Sequence, residues 1–217
     1  MTDITHDFDS NTRHARKSAM STDAKFWDNI ADKYAASPIK NMEAYEQTME
    51  RTRSYLSTDQ VVLEVGCGTG STALLLAPNV KHMTATDISK RMIEIGEGKA
   101  RDQNVGNVTF RQAPLPDETL APESFDTILC YNTLHLVMDL PGVLRNLAGA
   151  LKPGGVFISK TVCLAEQTRL WGIPIFLMRL IGKAPHVKML TFDAVEQAIA
   201  AEGFEIIETG IYPAPFS

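Results

Sequence analysis

Short runs of near-continuous apolar residues alternate along this chain with longer stretches in which apolar residues recur every three or four positions. The first kind predicts strands buried on both faces and the second predicts amphipathic helices. Strands are predicted at 61–65, 81–86, 108–111, 125–130, 156–160 and 204–212. Helices are predicted between them, at about 70–77, 89–100, 140–151 and 193–202. Ser89 serves as a cap, Pro141 lies in a first turn and Gly203 is a stop. The turn Lys152-Pro153-Gly154-Gly155 leads into the fifth strand. Two more helices precede the first strand. One starts at the cap cluster Ser21-Thr22-Asp23, carries Phe26, Trp27, Ile30 and Tyr34, and stops at Pro38. The other covers 41–56 with Met42, Tyr45, Met49 and Leu56. Residues 1–21 have almost no apolar period and read as a flexible tail. Repeated strand–helix units of this length predict an α/β, doubly wound, mostly parallel sheet with helices on both faces. The domain spans 22–217, with N-terminal helices at about 22–57 and an apolar insert at about 164–190.

Composition narrows the class. With 44% apolar and 22% charged residues, the 217-residue chain has enough apolar content for a real core and reads as soluble and globular. A net charge of −5 argues against a non-specific grip on nucleic acid, which needs a basic face. Cys67, Cys130 and Cys163 are far apart and include no C-x-x-C pair. They suggest neither a disulfide framework nor a metal site, and they fit a reducing cytoplasm. His6 and His14 lack a third ligand near them in sequence. The N-terminus is polar rather than a signal peptide, and the apolar window 170–181 is too short to span a bilayer and contains Arg179.

The candidate chemistry sits after the first strand. Gly66, Gly68 and Gly70 follow Val65 at alternate positions, with Glu64 two residues before the first glycine, and a short helical run follows. Strand, glycine turn and helix let backbone approach a nucleotide closely. The dinucleotide fingerprint would need glycine at 71, where Ser71 stands. The turn therefore suits a nucleoside ligand better than a pyrophosphate. Asp87 ends the second strand, where a carboxylate can accept two ribose hydroxyls or begin a helix cap.

Glu64-Val-Gly-Cys-Gly-Thr-Gly70, Asp87, the stretch 125–137, Leu151-Lys-Pro-Gly-Gly155 and the run from Thr191 to Phe204 occur in the order and spacing of one family. Over about residues 24–212 the chain resembles the class I S-adenosylmethionine-dependent methyltransferases of the small-molecule type, which have a Rossmann-like fold. The resemblance implies S-adenosyl-L-methionine as cofactor. Glu64 would face its amino-acid end, the backbone of Gly66, Cys67, Gly68 and Gly70 its ribose and methionine parts, Asp87 the ribose, and Ile88 one adenine face. Many relatives place an aspartate after strand three for the adenine amine. Here Gln112 and the backbone of Ala113 stand in that loop, and no aspartate comes before Asp117. Cys130 and Asn132 would flank the methionine part. Tyr34, from a lid helix, could reach the site.

Methyl transfer needs alignment, and a base only where the acceptor must lose a proton. His135 is the candidate base, with packing beside Leu134 and Leu136 as its other reading; His186 is a second candidate. The apolar insert suits a lipophilic or partly apolar small-molecule acceptor, a homodimer surface or plain packing. A non-catalytic protein that binds the cofactor or its demethylated product is the alternative reading. An RNA methyltransferase ranks behind it on the acidic charge and the lack of an N-P-P-Y-type run. The family closes its sheet with a final antiparallel strand, and after Tyr212 only Pro213-Ala214-Pro215-Phe216-Ser217 follow. The expectation is an open sheet edge, leading to a weakened monomer or a strand-filling dimer.

Overall fold

The computed structural model describes residues 5–163, 165 and 184–211, with side chains described from residue 21. Five strands form one sheet: β1 (Val61–Val65), β2 (His82–Asp87), β3 (Val108–Gln112), β4 (Phe125–Tyr131) and β5 (Leu151–Lys160). Their order is β3-β2-β1-β4-β5, and every pairing among them is parallel. The chain winds outward from β1 through β2 to β3, then returns to β1's other side for β4 and β5. The carboxyl ends of β1 and β4 thus flank the switch point, where sheets of this kind hold ligands.

Alternating residues explain why the strands are apolar throughout. Leu63, Val65, Ile128 and Cys130 face one core, closed by α5 (Leu140–Ala150) and α6 (Phe192–Ala201) through Val143, Leu144, Leu147 and Val195. Val62, Met83, Ala85 and Leu129 face the other. There they meet Met49 of α2 (Met42–Arg53), Ala73 and Leu76 of α3 (Ser71–Leu76), and Ile93 of α4 (Lys90–Asp102). A sheet buried on both faces has no room for the polar alternation of an exposed one.

Ser89 caps α4 as expected, and Asn41, Asp139 and Thr191 likewise accept the backbone N–H of the third residue of α2, α5 and α6.

Three expectations change. The helix expected to begin at Ser21 is one continuous α1 (Thr5–Ala36), because Ser, Thr and Asp cost a helix interior only several tenths of a kcal/mol each relative to Ala. Secondly, the turn at 152–155 lies inside β5 rather than before it. Phe125 pairs with Leu151 and Thr127 with Val156, so the extra residues bulge out while Lys152 Nζ donates to Asp126 Oδ1 at 2.7 Å. Thirdly, the sixth strand is not formed. Residues 204–211 make no ladder, and Ile207 and Ile211 are 67% and 58% exposed. Phe204 stacks on Phe157 and Glu208 is bound by Arg51 and Tyr55, so the segment is held by side chains. β-branched residues favour an extended chain, but a strand also needs a partner, and none lies beside this segment among the described residues. Tyr212, the later residues and most of the insert fall outside the described residues.

Candidate active site

One cavity of about 380 Å³ opens at the carboxyl ends of β1, β2 and β4, a volume within the range of small-ligand pockets. Its floor is the glycine turn. Gly66 and Gly70 are there for close approach: a Cβ on Gly66 would lie 2.1 Å from Thr133 Oγ1, and one on Gly70 would lie 2.4 Å from the Phe110 ring. Both also have left-handed backbone, with φ of 68° and 73°. Gly68 faces the cavity, and its nearest neighbour across that space is the Tyr34 ring of α1.

Two carboxylates mark the ends of the turn. Glu64 is 2% exposed and accepts a backbone hydrogen bond from Ala73, while its Oε2 has no partner among the described residues. Burial first, and then the nearby Asp87 charge, push its carboxyl up to about 8. Asp87 is braced by backbone: its Oδ2 accepts from Gly68 N at 2.9 Å and its Oδ1 from Ser89 N at 2.8 Å. Burial raises its pKa, and these two N–H groups oppose the rise. A buried acceptor with no partner is costly unless a ligand donates to it. The Glu64 oxygen therefore suits an ammonium group, and Asp87 suits neutral hydroxyls beside it.

The far wall comes from β4 and the 3₁₀ turn Leu134–Leu136. Asn132 takes a left-handed backbone, φ 54°, a conformation that asparagine tolerates better than most residues. His135 also lines the cavity; its Nδ1 lies 3.0 Å from Thr161 Oγ1. Burial lowers its pKa, which favours neutral imidazole. Around it stand Trp27, Leu115, Leu136, Met138 and Val162, an apolar mouth.

Tyr34, Glu64, Gly66, Cys67, Gly68, Asp87, Ile88, Ala113, Asn132 and His135 are thus brought to one cavity. Gly70, Gln112 and Cys130 are outside its lining. Gly70 receives Phe110 from behind the turn. Gln112 is exposed and its Nε2 donates to Ile88 O at 2.9 Å, so it holds the backbone beside the cavity. Cys130 is fully buried in the core, where burial pushes its thiol up to about 12. The Ala113 N–H is taken by Asp87 O at 2.9 Å. His186 donates its backbone N–H to Asp23 Oδ1 at 3.2 Å, at the edge of the described residues.

Sequence reasoning placed Asp23 in a cap cluster and Trp27 on a helix, and assigned neither of them nor the rest of the apolar mouth to the site. Asp23, Trp27 and Tyr34 fall four and seven residues apart, on one face of a helix, which is the signal that could have grouped them. Nothing in the local sequence marks Leu115 or Val162, which arrive from separate loops.

Comparisons with known proteins give the chain's family and fold. A family model described as "Methyltransferase domain" matches residues 56–200. The uncharacterized methyltransferase YcgJ of Bacillus subtilis (strain 168) is 34% identical over 97 residues, which is 45% of this chain and 38% of YcgJ. The demethylmenaquinone methyltransferase of Tropheryma whipplei (strain Twist) is 30% identical over 155 residues, 69% of this chain and 61% of that protein. The chain thus spans under two thirds of the length of these two curated relatives. The crystal structure of YcgJ superposes with a TM-score of 0.64 at 25% identity, covering 72% of this chain and 68% of that one.

Proposed function

The chain belongs to the class I S-adenosylmethionine-dependent methyltransferases, and from that premise we propose that it methylates a small, largely apolar acceptor of the phenol or quinol class. The observation that carries the reading is the pair of carboxylates at the two ends of the glycine turn. Glu64 offers a buried, unpartnered oxygen and Asp87 a backbone-braced carboxylate on the same cavity. Glu64 would hold the cofactor's ammonium, Asp87 its ribose hydroxyls, and Ile88 with Met92 the base. When bound, the cofactor supplies a methyl group on a sulfonium, an electrophilic carbon with a neutral thioether as leaving group.

The chain's own residues then have three tasks. The glycine turn and Asn132 fix one partner against the sheet edge. The mouth formed by Trp27, Leu115, Leu136, Met138 and Val162 excludes water and seats an apolar ring. His135, neutral and engaged at Nδ1, has Nε2 to take the acceptor's hydroxyl proton. The name of the Tropheryma relative supports a quinone-type acceptor.

The test is calorimetry with S-adenosylhomocysteine, followed by transfer of labelled methyl to a panel of phenols, quinols and amines. Binding followed by transfer to a phenol or quinol is expected. Binding without transfer to any acceptor would assign a binding role instead. Transfer to amines alone would refute the acceptor class. His135→Gln is expected to lower kcat by roughly 10²–10⁴-fold. Its affinity for S-adenosylhomocysteine should stay within about twofold of wild type.

A further inference from the structure

A hydrogen-bond chain runs from the glycine turn out to the first helix. Gly68 N donates to Asp87 Oδ2, and Ser89 N donates to Asp87 Oδ1. Ser89 is completely buried, and its Oγ both caps α4 at Met92 N and donates to Asp28 Oδ1 of α1 at 2.6 Å. The same Asp28 oxygen accepts Arg91 N at 3.0 Å. One helical turn on, Asp32 takes the Arg91 guanidinium at 2.7 Å. So α1 is fastened to the start of α4 at Ser89 and Arg91, two and four residues after Asp87.

We infer that Asp28 is a positioning residue for the site: it latches α1 onto the N-terminus of α4, and so couples closure of the Trp27–Tyr34 face to the seating of Asp87 and the glycine turn. Two features make the latch specific. Asp28 supplies a charge at a helix N-terminus, accepting the orphan backbone N–H of Arg91 and the Ser89 hydroxyl, and hydrogen bonds to a carboxylate are stronger than neutral ones. And the residues it fastens, Asp23, Trp27 and Tyr34, line the cavity from the same helix, while Asp28 itself does not. Opening the latch would lift one wall of the cavity without touching its floor. The coupling rests on the cofactor reading given above; the latch itself does not.

Two measurements test it with the full chain. In the first, ligand-free protein is digested briefly with trypsin, and cleavage after the exposed Lys25 and Lys33 is followed by mass spectrometry. Asp28→Ala is expected to raise the cleavage rate at these sites about tenfold, as expected for loss of a charge-assisted hydrogen bond. Asp28→Asn keeps the acceptor oxygen and should fall between Asp28→Ala and wild type.

In the second, affinity for S-adenosylhomocysteine is measured by calorimetry, and kcat and KM for the cofactor are measured with whichever acceptor is found. Asp28→Ala should weaken affinity and raise KM about tenfold, with kcat at saturating cofactor within about twofold of wild type. Asp28→Asn should rescue part of the loss. Unchanged cleavage would overturn the latch. Faster cleavage with unchanged affinity would overturn the coupling, as would an equal fall in kcat and kcat/KM. Failure of the wild type to bind S-adenosylhomocysteine would refute the cofactor reading and the coupling with it, and the digestion would still decide the latch.

Discussion

Glu64 gives the free protein one pH dependence of its stability. Its folded-state pKa is raised from 4.5 to about 8, so between those values the folded chain holds a proton that the unfolded chain has released. Stability must therefore fall as pH rises through that window, by up to roughly 1.4 kcal/mol per pH unit, and be flat from this source outside it. Glu64→Gln removes the dependence. It is expected to gain melting temperature over wild type at pH 8 and little at pH 5, while losing the cofactor. An equal change at both pH values in a thermal scan would contradict the assignment. Gly96 of α4 is a second decisive residue. The Phe110 ring that fills the space behind Gly70 also lies 2.6 Å from where a Gly96 Cβ would stand. Gly96→Ala should cost about 1–3 kcal/mol in urea unfolding, and Phe110→Leu in the same chain should recover part of it. The sequence showed Gly70 as part of a ligand turn. That it serves a phenylalanine on β3 could not be read, because Phe110 and Gly96 meet it only in the folded sheet.

At the scale of elements, α2 is tied to the sheet by polar side chains as well as by Met49. Tyr131 at the end of β4 lies 2.6 Å by its hydroxyl from Thr52 Oγ1 of α2, and Lys160 at the end of β5 donates to Thr48 Oγ1 at 2.7 Å. Burial raises the Tyr131 hydroxyl's pKa and lowers that of Lys160. Tyr131→Phe leaves the ring and removes the bond, so a loss of about 1–2 kcal/mol in urea unfolding is expected, with the fold intact by circular dichroism. Apart from α1, helix positions were legible from periodicity to within about three residues, since their apolar faces and caps are local features. The unbroken α1 and the unpaired segment 204–211 were not. Both depend on neighbours: α1 packs along α4, and 204–211 has stacking and charge partners but, among the described residues, no strand to pair with.

For the whole molecule, no helix among the described residues is long and apolar enough to cross a membrane. A ligand that binds only the folded chain stabilises it by about 2.7 kcal/mol at a hundred times its Kd. For a chain of this size that is roughly 5–10 °C in melting temperature, so S-adenosylhomocysteine should give such a shift in the wild type and none in Glu64→Gln. The amino-acid sequence by itself determined the parallel α/β architecture, because strands buried on both faces must be continuously apolar and helices buried on one face must be periodic. It also determined the glycine turn with Glu64 before it and Asp87 one strand later, because left-handed turns and strand-end acids are written in adjacent residues. Only the tertiary structure decided which of the glycines face the cavity, that Gln112 and Cys130 lie outside it, and that Asp28 reaches Ser89. These depend on side chains from separate elements arriving within hydrogen-bond or van der Waals distance, and local sequence carries no record of such distances.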